Sequence, residues 1–251
     1  MDTRSFYDDI ADLYHLVYAD WPASITLQAA VLDSILVEAL GPGPHRILDV
    51  SCGIGTQTIG LASQGHSLTA SDVSPVSVAR ARQEAETRRL DVAFSVSDMR
   101  QCDQQHDATF DAVLSADNAV PHLLSDDEIQ DAFRAMHHCV RPNGVAVITV
   151  RDYAREDRTT PQLRPFGVRP IPDGQCVVFQ VWHFDGDHYD VAMYFVRERA
   201  NREPEVTVSR SRYYAVDTNK LAVLMGEAGF VDVKRIDERY FQPVLLARKA
   251  V

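Results

Sequence analysis

Residues 47–58 read ILDVSCGIGTQT. An apolar run carries an acid, turns through two glycines and enters a stretch of helical character. Strand, glycine turn and helix in that order open a cofactor-binding α/β unit, because glycine lets the backbone bend sharply and approach a ligand. The flanks narrow the choice of ligand. A dinucleotide turn needs G-x-G-x-x-G, whose third glycine lets the helix pack closely on the strand. Here Gly53 and Gly55 are followed by Thr58. A nucleotide-triphosphate loop needs G-K-S or G-K-T, and the chain has neither. Asp49, inside the strand, puts an acid at the mouth of the turn and suits a ligand that carries positive charge.

The unit repeats on either side. RILDVS (46–51), SLTASDVS (67–74), DVAFSVSD (91–98) and FDAVLSAD (110–117) read as strands. Helices are expected from near Thr56, from Pro75 to Arg89, and over 125–140 with Ser125 as cap. VAVITV (145–150) lacks polar alternation, as expected of a strand buried on both faces. Such alternation predicts a mostly parallel sheet flanked by helices. Upstream, the apolar spacing predicts a helix over 5–20 that ends at Trp21-Pro22, and a second over 24–40 capped by Ser24. GPGP (41–44) breaks the chain there.

Beyond residue 151 the pattern changes. CVVFQVWHF (176–184), HYDVAMYFVRER (188–199) and EVTVSRSRYYAV (205–216) predict a small antiparallel layer, its first hairpin turning at DGD. Residues 154–170 show no recognisable element. A helix over 218–229 and strands over 230–236 and 242–249 return to the main sheet. The chain reads as one domain over 1–251: an N-terminal helical lid (1–40), a cofactor core (45–151), a β-rich substrate insert (152–216) and a C-terminal helix with a hairpin (217–251).

Composition excludes several functions. Thirty-six acidic residues against 25 basic give a formal net charge of -11 over 251 residues. A nucleic-acid surface needs clustered lysine and arginine, so no nucleic-acid partner is expected. The four cysteines are far apart and fit reduced, buried thiols, with no metal site expected. No signal peptide is legible, and no apolar stretch is expected to reach the roughly 20 residues that a bilayer needs. A cytoplasmic monomer or homodimer without a membrane partner is expected.

The next acids sharpen the reading. Asp72 ends the second strand, where a carboxylate accepts hydrogen bonds from both ribose hydroxyls. Asp98 and Met99 follow the third, where an acid and an apolar side chain can flank a purine. These strand ends share the edge at which open α/β sheets bind ligands.

ILDVSCGIG, the SD of the second strand, the SDM of the third and FDAVLSAD of the fourth resemble the motif series of class I S-adenosylmethionine-dependent methyltransferases. The resemblance implies a Rossmann-like seven-stranded sheet whose last strand is antiparallel, with the β insert capping the active site. It also implies S-adenosylmethionine as cofactor, S-adenosylhomocysteine as product, and cofactor residues Asp49, Ser51, Gly53, Gly55, Asp72, Val73, Asp98, Met99 and Ala116. DNAVPHL (117–123), RDY (151–153) and the double tyrosine at 213–214 resemble the glycine and glycine/sarcosine N-methyltransferases. That branch implies Asn118 and Arg151 on a substrate carboxylate and amine, with His122 nearby. Tyr194 and one of Tyr213 or Tyr214, here taken as Tyr214, would line the amine. Tyr7, Tyr14 and Tyr18, on one helix face, would form an aromatic lid over the cofactor. The expected reaction moves the methyl group to the nitrogen of a small carboxylated amine. An O-methyltransferase of a larger secondary metabolite and a non-catalytic cofactor-binding protein stay open as alternatives.

Overall fold

The strands on both sides of the glycine turn form one sheet. The computed structural model describes residues 2–106, 109–158 and 161–251. Helix α1 (Thr3–Ile10), a 3-10 turn (Tyr14–Val17) and α2 (Trp21–Leu40) come first. The core continues as β1 (Arg46–Asp49), α3 (Thr56–Ser63), β2 (Ser67–Asp72), α4 (Pro75–Thr87), β3 (Val92–Val96), α5 (Cys102–Gln105), β4 (Phe110–Ser115), α6 (Asp126–Cys139) and β5 (Val140–Thr149). The insert holds β6 (Gln162–Ile171), β7 (Gly174–Asp185), β8 (His188–Arg199) and β9 (Glu205–Tyr214). Helix α7 (Thr218–Glu227), β10 (Phe230–Ile236) and β11 (Val244–Lys249) close the chain.

The main sheet runs β10-β11-β5-β4-β1-β2-β3. Strand β11 is antiparallel to both neighbours, while β5, β4, β1, β2 and β3 pair in parallel. The reversed last strand and the Rossmann-like α/β architecture match expectation. The insert is an antiparallel sheet of order β6-β7-β8-β9. Buried side chains of α6, α7 and the main sheet continue without a break into Trp182, Tyr189 and Tyr213 of the insert. Helix α1 lies on the same layer. Its Phe6 and Ile10 are buried with Cys176, Val178, Met193 and Phe195. An eight-residue helix is marginal alone, and burying those two side chains contributes about 3–6 kcal/mol.

Four expectations need correction. The first helix stops at Ile10, and Trp21-Pro22 starts a helix instead of ending one. Proline lacks the N–H that a first helical turn leaves unpaired anyway, so it suits that position. Asp20, not Ser24, caps α2, its carboxylate accepting from the Ala23 N–H (2.9 Å). The 154–170 stretch carries β6 from Gln162 onward, an edge strand that tolerates Pro165 and Pro170 because one side of an edge needs no ladder donor; residues 159 and 160 of that stretch lie outside the described ones. Finally, α2 is 20 residues long and apolar enough, by length and composition, to cross a bilayer. Within this fold its Ala29, Leu32, Ile35 and Leu36 pack against the main sheet.

Candidate active site

The glycine turn lies between β1 and α3 and is held from beneath by two acids. Asp49 is buried, so it does not stand at the mouth. Its carboxylate accepts from the Thr58 hydroxyl (2.6 Å) and the Ser51 N–H (3.2 Å). Thr58 thereby ties α3 to β1, which accounts for a hydroxyl where a dinucleotide turn has glycine. Burial pushes the Asp49 carboxyl up to about 7. Asp72, at the end of β2, accepts from the Gly53 N–H (2.8 Å) and the Ser74 N–H (2.9 Å). Burial raises its carboxyl too. Ser74 caps α4, accepting from the Ser77 N–H (3.0 Å), so Asp72 keeps lone pairs for a ligand.

The two glycines divide the work. Gly53 has φ +51°, and a Cβ there would meet open space. Gly55 has φ +95°, and a Cβ there would come within 2.8 Å of Ile59 and 3.2 Å of Ala81. Gly53 therefore faces the ligand side. Gly55, expected as a cofactor residue, instead lets α3 pack.

A narrow cleft beside the glycine turn is lined by Ser51, Gly53, Asp72, Ala116, Asp117 and the three lid phenols, Tyr7, Tyr14 and Tyr18. The phenols do not share one helix. Tyr7 sits in α1, Tyr14 in the 3-10 turn and Tyr18 just after it, yet their rings meet edge to face at 5.7 and 6.5 Å. The chain reversal after Ile10 brings them together. Burial holds all three hydroxyls well above the usual phenol range, so they stay neutral. Val73 and Asp98 line a neighbouring open cleft instead. Asp98 is engaged by Arg100 through its backbone N–H (2.9 Å) and guanidinium (2.6 Å), and Met99 packs against the core.

A cavity of about 890 Å³ adjoins this cleft. Tyr7, Tyr14, Tyr18 and Asp117 line both. Its far wall is Gln180, Trp182, Tyr189 and Tyr213 of the insert, and Arg235, Tyr240 and Gln242 from the C-terminal hairpin. Asn118 and Arg151 reach this cavity, but both have partners. The Asn118 amide donates to the Tyr153 hydroxyl (2.8 Å), and its oxygen accepts from the Arg151 backbone N–H (3.0 Å). The Arg151 guanidinium donates to Glu156 (3.4 Å) and stacks 4.8 Å over Trp182. Its Nε is buried without a partner.

Three expected residues lie elsewhere. Tyr194 points to the outer face of the insert, where its ring stacks on Phe179 at 4.7 Å, because alternation puts Met193 and Phe195 inward. Tyr214, one residue past the inward-facing Tyr213, donates to Asp126 (2.8 Å) and accepts from Lys220 (3.0 Å). Of this pair, Tyr213 is the one that lines the cavity. His122 is buried behind it, 3.9 Å from its ring, and hydrogen-bonds the Tyr7 hydroxyl (2.8 Å). Burial pushes the His122 imidazole down to about 3, so it stays neutral and braces the lid against the insert. Asp117 went unnoticed in the sequence. The clue was its place directly after β4, at the ligand-binding edge.

A glycine turn backed by Asp72, a phenol lid and a seven-stranded sheet with a reversed last strand give this chain the fold of the class I S-adenosylmethionine-dependent methyltransferases. Residues 47–144 match the family model described as a methyltransferase domain. The glycine/sarcosine N-methyltransferase of Parasynechococcus marenigrum is 26% identical over 152 residues, 61% of this chain and 52% of that protein. The glycine N-methyltransferase of Rattus norvegicus is 33% identical over 122 residues, 44% of this chain and 42% of that one. The chain spans about half the length of the curated relatives it matches. Among solved structures, CalS10 from Micromonospora echinaspora, an amino pentose methyltransferase, superposes with a TM-score of 0.80 at 19% identity over 95% of both chains.

S-adenosylmethionine fits the residues present. Gly53 leaves open space on the cleft side, Asp72 retains acceptor capacity for ribose, and the neutral phenols present oxygens and ring faces suited to a sulfonium.

Proposed function

We propose that the protein transfers the methyl group of S-adenosylmethionine to the nitrogen of an amine borne on a polar scaffold larger than an amino acid. When bound, the cofactor supplies a methyl group on positively charged sulfur, with a neutral thioether as leaving group. The cavity carries this reading. Its volume of about 890 Å³ lies in the range of sites that enclose drug-sized ligands. Its walls offer phenol, amide, carboxylate and guanidinium groups suited to hydroxyls and amines. The fold neighbour that acts on an amino pentose is consistent with this size.

The chain's own residues supply position and exclusion of water. Tyr7, Tyr14 and Tyr18 cover the junction of cleft and cavity, while Tyr213 and Tyr189 line the acceptor side. Holding acceptor and methyl group in line converts an encounter into an intramolecular step, which supplies much of the acceleration. Cofactor orientation falls to Gly53, Ser51 and Asp72. An amine must lose its proton before it attacks, so a proton acceptor near the junction is useful.

A second reading, a small carboxylated amine of the glycine or sarcosine type, draws on the relatives and on Arg151 in the cavity wall. Against it, Glu156 already neutralises Arg151, and the Asn118 amide is committed to Tyr153 and the backbone. The test is release of S-adenosylhomocysteine with glycine, sarcosine, an amino sugar and a phenol as acceptors. Turnover of the amino sugar above that of glycine is expected. Turnover of the phenol alone would point to oxygen methylation. Cofactor binding without release for any acceptor would leave a cofactor-binding protein.

A further inference from the structure

We propose that Asp117 holds the acceptor nitrogen and takes its proton before methyl transfer, an assignment that rests on the amine reading above. Among the described residues, Asp117 is the one carboxylate that lines both the cofactor cleft and the acceptor cavity. It therefore stands where methyl group and acceptor meet.

The backbone there is unusual. Asp117 and Asn118 follow β4 with φ of +56° and +66°, two consecutive non-glycine residues in the left-handed region. Aspartate and asparagine tolerate that region better than most residues, at a cost that the surroundings must offset. Thr149 holds the turn in place. Its hydroxyl accepts from the Asp117 N–H (2.8 Å) and its carbonyl from the Asn118 N–H (3.0 Å). The turn aims the Asp117 carboxylate into the junction.

That carboxylate has neutral partners only. The Tyr18 hydroxyl donates to Oδ2 (2.9 Å) and the Gln242 amide to Oδ1 (3.4 Å). Asp117 forms no ion pair among the described residues. Arg151 is the cation whose field reaches it, and that guanidinium is paired with Glu156. The phenols of Tyr14, Tyr18, Tyr213 and Tyr240 complete the titratable surroundings, and burial raises all four. Asp117 is half-buried, and a carboxylate partly withdrawn from water without a paired cation is costly unless a ligand brings one. An acceptor ammonium does. Burial, the largest influence, also raises the Asp117 carboxyl, which makes it a better proton acceptor.

The step balances. An N–H bond of the ammonium breaks and an O–H bond forms on Asp117, the electron pair remaining on nitrogen as the lone pair that receives the methyl group. The methylated product leaves as a cation, and Asp117 returns its proton to water at the cavity mouth.

Two measurements test the assignment. The first needs no turnover: binding of methylammonium to the enzyme loaded with S-adenosylhomocysteine, compared with Asp117→Asn. The variant should keep its S-adenosylhomocysteine affinity within about threefold and lose methylammonium affinity at least about tenfold. Wild-type methylammonium affinity should fall as pH is lowered and the carboxylate protonates, a readout that stands even if the variant folds poorly. Equal binding to both proteins, binding to neither, or a wild-type affinity that stays flat as pH is lowered overturns the assignment. The second measurement uses whichever amine is turned over. There Asp117→Asn should lower kcat/KM by roughly 10²–10⁴-fold at pH 7, with the rate climbing about tenfold per pH unit as free amine accumulates. A variant with the wild-type rate and pH profile overturns it. Wild-type turnover of phenols alone refutes the amine reading separately, and the methylammonium result then decides Asp117 by itself.

Discussion

At the scale of single residues, the glycine turn makes two separable predictions. Gly53→Ala places a methyl group in open space on the ligand side but strains the backbone at φ +51°, so cofactor affinity should fall about tenfold or more while the fold loses only about 1–2 kcal/mol. Gly55→Ala drives its methyl group against Ile59 and Ala81, so it should destabilise the fold by about 2–3 kcal/mol. Titration calorimetry and thermal melting of both variants check the split. Asp49 adds a pH signature. Its folded carboxyl titrates at about 7, above the unfolded value near 4. Between those limits the folded state binds more protons than the unfolded one, so this group's contribution to stability is fully present at low pH and is lost as pH rises. Stability relative to Asp49→Asn should therefore fall by about 2–4 kcal/mol from pH 4 to pH 7. A pH-independent difference in urea midpoints would contradict this.

At the scale of elements, strand alternation decides which tyrosines matter. Residues i and i+1 of a strand face opposite ways, so Tyr213 lines the cavity and Tyr214 binds Asp126. The same rule turns Tyr194 outward. Tyr194→Phe should leave kcat/KM within twofold and stability within about 0.5 kcal/mol. Tyr213→Phe removes a hydroxyl worth about 1 kcal/mol and should lower acceptor kcat/KM roughly fivefold, with cofactor affinity unchanged. Steady-state kinetics on both variants test the pair. Much at this scale was legible beforehand. The β1–α3 turn, the acids ending β1 and β2, and the parallel order follow from local pattern. Strand β6 was hidden by Pro165 and Pro170, which read as breakers until the edge position is known. The tyrosine spacing of the lid fits one helix, whereas the chain reverses after Ile10.

At the scale of the whole molecule, the insert and the main sheet share one core. Trp182 is buried among side chains continuous with α6 and β5, and two guanidiniums, of Arg151 and Arg164, lie 4.8 Å from its ring. The protein should therefore unfold in a single transition, with far-UV circular dichroism and tryptophan fluorescence coincident. Trp182→Ala should cost about 3–5 kcal/mol and lower the melting temperature of that same transition by about 6–20 °C. Loss of insert structure ahead of the sheet would show that the two are separate units.

The sequence by itself determined the sheet, the glycine turn and the acids that support it, because each depends on near neighbours: alternation of strand and helix, glycine at positive φ, a carboxylate at a strand end. Only the tertiary structure decided the acceptor site. Asp117, Arg151, Tyr213 and Gln242 come from four separate stretches of chain. Which of their atoms stay free, and how large a cavity they enclose, depends on the packing of the insert, the lid and the C-terminal hairpin against one another.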